Sequence, residues 1–150
     1  MRRWCREHVP TDWRVAQTGA SDEEFILGCA LRDLREILED LPLSLVARMA
    51  VRDRPYALER LWLSPKPLDE QEAAALKAAP AFPKVEHVSL SAGWHPDRLG
   101  WMLGGALGER LKSLAIYPEG TPIGAWLEAI ASLPRLRRFE FSGGGLCIVE

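Results

Sequence analysis

Four short segments of the chain carry one pattern, apolar-x-x-apolar-x-apolar. They are Leu58, Leu61 and Leu63; Val85, Val88 and Leu90; Leu111, Leu114 and Ile116; and Leu136, Phe139 and Phe141. Their starts are spaced by 27, 26 and 25 residues. Alternation over so short a run predicts a strand with one buried face. Helical periodicity fills the intervals. Residues 68–79 place Ala73, Leu76 and Ala79 on one face, and residues 96–107 align Leu99, Met102, Leu103 and Ala106. Residues 122–132 do the same with Ile123, Trp126, Leu127 and Ile130. Pro96 and Pro122 stand near the first helical position, where proline is tolerated. Strand–helix–strand connections of this length give parallel strands with right-handed crossovers. Stacked side by side, such units put helices on one face of the sheet and leave the other open.

These segments resemble the leucine-rich repeat family, in its longer, helix-containing, ribonuclease-inhibitor-like class, over about residues 58–142. The family's pattern continues with Asn or Cys three residues after the third apolar position, where it forms a hydrogen-bonded ladder. Lys66, Gly93, Glu119 and Gly144 occupy those positions here, so the repeats are degenerate and the turns must satisfy their backbone groups differently. The resemblance implies an α/β solenoid of four parallel strands with helices on one face, and a role in binding another protein.

A solenoid needs capped ends. Residues 1–57 read as an N-terminal helical cap, 58–142 as the four repeats and 143–150 as a C-terminal hairpin strand, all in one domain. Ser21-Asp22-Glu23-Glu24 has the form of a capping box. It opens a helix expected to reach about Asp40, with Phe25, Gly28, Leu31, Leu34, Leu38 and Leu41 as its apolar stripe. Pro42 is expected to begin a second helix over residues 43–52, ending before Pro55. At the other end, Gly143-Gly144-Gly145 separates two apolar runs, which predicts an antiparallel hairpin. The strand it adds protects one edge and creates another, through which the chain would be open to self-association.

Composition narrows the function. The chain has 150 residues, 47% hydrophobic and 27% charged, which suits one soluble domain with a real core. Its net charge of −2 offers no basic footprint for nucleic acid. The local clusters Arg2, Arg3, Arg6 and Arg135, Arg137, Arg138 read as solvated faces. Three scattered cysteines, Cys5, Cys29 and Cys147, lack zinc or redox spacing and suit a reducing cytoplasm. No signal-peptide core follows the basic N-terminus, and the apolar run at 99–107 is too short to span a membrane. Gly100, Gly104 and Gly108 within that run read as sites of close helix–sheet packing. Arginine outnumbers lysine and asparagine is absent, a bias that points to a GC-rich bacterial genome.

Chemistry-bearing motifs are missing. There is no phosphate-binding glycine loop followed by Lys-Ser or Lys-Thr. The glycines at 104, 105 and 108 lack the preceding strand of a dinucleotide fingerprint. His8, His87 and His95 have no partner at metal-ligand spacing. No serine lies in a nucleophile elbow; Ser64, Ser89, Ser91, Ser113 and Ser142 are what a solvated sheet tolerates. The expectation is a protein without catalytic residues, cofactor or metal.

The strand register directs Arg60, Trp62, His87, Ser89, Tyr117, Arg138 and Glu140 away from the helices, and these are the candidate partner-binding residues. Aromatic residues and arginine are over-represented among interface hot spots. Two readings stand for Trp62: a partner docks on it, or the N-terminal cap or the loop at 65–67 folds over it. Trp94 is a second candidate, with burial against the next helix as its alternative; Trp101 and Trp126 read as core. The leading function is a non-enzymatic, cytoplasmic protein-interaction module. One alternative is a bacterial immunity protein that neutralises a toxin. Others are an enzyme using His87 with a neighbouring serine or Glu140, and a unit that self-associates through its C-terminal edge.

Overall fold

The computed structural model describes residues 35–36, 40–51, 55–78, 80–117 and 120–141, and the backbone alone of 146–149. Expectations for the capping box at Ser21 and for Cys5, Cys29 and His8 fall outside them. In chain order the elements are β1 (Leu41–Pro42), α1 (Leu43–Ala50), β2 (Arg60–Ser64), α2 (Glu70–Ala78) and β3 (His87–Leu90). A 3₁₀ turn (Pro96–Leu99) follows, then α3 (Ala106–Arg110), β4 (Ser113–Ile116), α4 (Ile123–Ile130), β5 (Arg138–Phe141) and β6 (Leu146–Val149). The six strands among the described residues form one sheet in the order β1-β2-β3-β4-β5-β6. All neighbours from β1 to β5 pair in parallel, and β6 returns antiparallel to β5.

The apolar positions fall into register across the sheet. Leu61 pairs Val88, Val88 pairs Leu114 and Leu114 pairs Phe139; Leu63, Leu90, Ile116 and Phe141 make the next row. Leu61, Leu63, Val88, Leu90, Leu114 and Ile116 are each at most 1% exposed. They share one core with α1, which buries six of its eight residues, and with Leu76, Leu107 and Trp126 from the other helices. A contiguous row of this kind, removed from water, is the main term favouring the folded chain.

The sheet has five parallel strands where four were expected. The fifth, β1, lies in the segment read as a helical cap, and Glu36 bridges Arg60 just ahead of it. Arg35 therefore does what the residues ahead of β2, β3 and β4 do at the same place. Glu59 N donates to Arg35 O at 2.8 Å, as Glu86 N does to Glu59 O at 3.1 Å, Lys112 N to Glu86 O at 2.8 Å and Arg137 N to Lys112 O at 2.9 Å. Two more residues lie between Glu36 and Leu41 than between their partners Arg60 and Leu63. In the sequence the leucines at 31, 34, 38 and 41 carry helical spacing, which is why this segment reads as a helix. The tertiary reason for a strand is the edge of β2, whose backbone groups would otherwise lie unpaired.

The helix expected over 96–107 is divided. Its first turn is 3₁₀, with Pro96 at the start and the His95 ring accepting from Asp97 N. Gly104 then turns the chain at φ 73°, and α3 follows. Close approach is real at two glycines of this segment. A Cβ on Gly105 would sit 2.7 Å from Lys77 O in α2, and one on Gly108 only 2.2 Å from Met102 O. Gly100 and Gly104 have open space instead, and the contact at Gly108 is with the preceding turn and Leu133, not with the sheet. α2 is fastened by a reciprocal cap: Glu72 N donates to Asp69 Oδ1 at 2.7 Å, and Asp69 N to Glu72 Oε2 at 3.1 Å.

Candidate interaction surface

Because side chains alternate along a strand, the residues between the core positions form rows on the opposite face. One row is Arg60, His87, Ser113 and Arg138; the next is Trp62, Ser89, Ala115 and Glu140. The register brings together six of the seven sequence-predicted residues. Tyr117 follows the end of β4, where its amide donates to Leu90 O at 3.3 Å, and its side chain is 42% exposed. Arg60 and Arg138 are exposed, whereas Trp62, His87, Ser89 and Glu140 are half-buried.

Glu36 organises one side of this face. Its Oε1 accepts from Trp62 Nε1 at 3.2 Å and lies 3.5 Å from Arg60 Nη1. The indole is thus oriented by a carboxylate and keeps part of its surface accessible. Glu36 escaped the sequence reading because it was placed in a helix. Its signal was there: it precedes Arg60 by 24 residues, close to the 25–27 of the other steps. On the far side Arg138 donates to Glu140. The arginines at both ends of the face therefore have carboxylate partners. Ala115 retains only 9% exposure between Ser89 and Glu140 and offers little area.

At the lower edge, where the strands begin, a second set of charges runs along the backbone ladder. Arg35 lies 3.9 Å from Glu59, and Lys112 donates to Glu86 at 2.8 Å. The Lys112 hydrogen bond holds the Glu86 carboxyl below its ordinary value, against a partial desolvation, with the Lys112, His87 and Arg135 charges assisting.

At the upper edge an indole closes the turn after β3. Trp94 Nε1 donates to Leu63 O at 2.9 Å, and the same carbonyl receives Ser91 N at 3.0 Å and Ser91 Oγ at 3.1 Å. Gly93 at φ 91° allows the turn that aims Trp94 inward. Trp94 is 4% exposed, so it is not a docking residue; its buried indole N–H is satisfied by the strand-end carbonyl of Leu63. Trp126 is fully buried, and Trp101 is buried in the turn before α3 rather than within a helix.

His87 lies in register between Arg60 and Ser113, and no hydrogen-bonded carboxylate orients its ring among the described residues. Among those residues no group of three histidine, cysteine or carboxylate side chains is placed to hold a metal. No described helix is long and apolar enough to cross a membrane. Comparison of the chain with family models, with curated proteins and with solved structures found no match.

Proposed function

We propose that the chain is a degenerate leucine-rich-repeat-like solenoid that acts without catalysis, binding a partner protein on the sheet face opposite its helices. The observation that carries this reading is the pair of in-register rows on that face, which include the half-buried Trp62 indole and are flanked by the exposed Tyr117 ring. A sheet surface whose side chains are fixed by strand register is preorganised, which lowers the entropy lost on binding. The rows carry charges of both signs in pairs, Arg60 with Glu36 and Arg138 with Glu140, which suits a protein surface better than a polyanion. Tyr117 serves as the anchor, since an exposed aromatic with a polar tip is the residue type that dominates interface energies.

The test is affinity capture from extract of the source cells. Wild type is compared with a Tyr117→Ala, Arg138→Ala double variant and with Glu128→Ala on the helix layer. A protein held by wild type and by the Glu128 variant, and released by the double variant, is the expected result. Equal retention by all three, or no retained protein, would overturn the proposal.

A further inference from the structure

A groove of about 460 Å³ opens beyond the ends of β1, β2 and β3, away from the rows of the sheet face. Its wall contains the indoles of Trp94 and Trp101, with ring centroids 6.0 Å apart, beside Leu68. Around them stand Lys66 from the loop after β2, Lys77 from α2 and Arg98 from the 3₁₀ turn, with Asp97 as the lone carboxylate. Lys66, Lys77 and Arg98 have no ion-pair partner among the described residues. Asp97 already lies 3.1 Å from His95 Nδ1. The chain as a whole carries −2, so three cations lining one groove without an ion-pair partner among the described residues run against its overall balance.

We propose that this groove binds a small amphipathic organic anion, a compact apolar body bearing a carboxylate or phosphate. The volume falls within the usual range of small-ligand pockets, which are apolar with a few convergent polar groups. The carboxyl ends of parallel strands are also where open α/β sheets take ligands. Pro67, Leu68 and Ala73 receive the apolar body above the buried indoles, while Lys77 and Arg98 receive the anionic head. The site is separate from the proposed partner face, and neither proposal depends on the other.

The test uses the full chain and an isosteric series, titrated by calorimetry and by indole fluorescence: 4-phenylbutyrate, 4-phenylbutyl phosphate, 4-phenylbutanol and 4-phenylbutylamine. At ordinary ligand efficiency the anions bind near 1 mM or tighter, about tenfold better than the alcohol, and the amine is weakest. A Lys77→Gln, Arg98→Gln variant removes that preference and leaves alcohol binding unchanged. Both side chains are exposed, so folding is retained, which an unchanged melting curve verifies. The carboxylate and phosphate arms tell which head group is preferred. Equal binding of acid and alcohol would overturn the proposal, as would an anion preference that survives the double variant, or no binding of either anion at about 10 mM. Binding only of an acidic phenylalanine-containing peptide would overturn it too, and would assign the groove to a protein segment.

Discussion

The two faces of the sheet follow different rules. On the helix side each step repeats one kind of residue, Leu61, Val88, Leu114 and Phe139, and each is almost completely buried. On the opposite side the steps read Arg60, His87, Ser113, Arg138 and Trp62, Ser89, Ala115, Glu140, with no common chemistry. Burial explains the contrast. A core position must be apolar and fill its share of volume, whereas a solvated position must only avoid destabilising its neighbours. Freedom from packing is what leaves a surface available for recognition.

Substitutions that test this contrast should rank by depth. Leu114→Ala, at the middle of the core row, is expected to cost about 2–5 kcal/mol in chemical denaturation, the range for a buried leucine. A cost below ~1 kcal/mol would mean that the helix layer is loosely packed there. Gly108→Ala should follow at roughly 1–3 kcal/mol, because its Cβ meets the Met102 carbonyl and something must shift. Trp94→Phe keeps an aromatic ring but removes one of three donors to Leu63 O, and should cost about 1–2 kcal/mol. On the other face Tyr117→Ala should move stability by less than ~0.5 kcal/mol, while weakening a captured partner by more than about tenfold. Loss of stability there equal to that of Leu114→Ala would show that Tyr117 belongs to the packing and not to a recognition surface.

The smallest effect is electrostatic. The Glu86 carboxyl titrates lower in the folded chain than its ordinary value of 4.5, so its pairing with Lys112 favours folding fully above that value. The contribution is lost as pH falls through the lowered value, since protonation then removes the charge that Lys112 holds. Lys112→Gln should flatten the stability profile below about pH 4.5 and leave it nearly unchanged at neutral pH in high salt. An acid profile identical to wild type would show that the pair adds nothing.

The amino-acid sequence alone determined the positions of four strands, their mutual register and the orientation of six of the seven candidate face residues. A period-two pattern repeated every 25 to 27 residues leaves one way to bury all its apolar positions together. The C-terminal hairpin was legible for a similarly local reason, three glycines between two apolar runs. What the sequence did not show depends on partners distant along the chain. β1 takes strand form, and Glu36 bridges Arg60, because the edge of β2 needs pairing, in a segment whose leucines carry helical spacing. Trp94 turns inward where the Leu63 carbonyl, 31 residues away, accepts its indole N–H. Lys66, Lys77 and Arg98 surround one groove because three separate elements end side by side. Local periodicity records which face of an element is buried; only the assembled sheet decides which backbone groups remain to be satisfied and which charges meet.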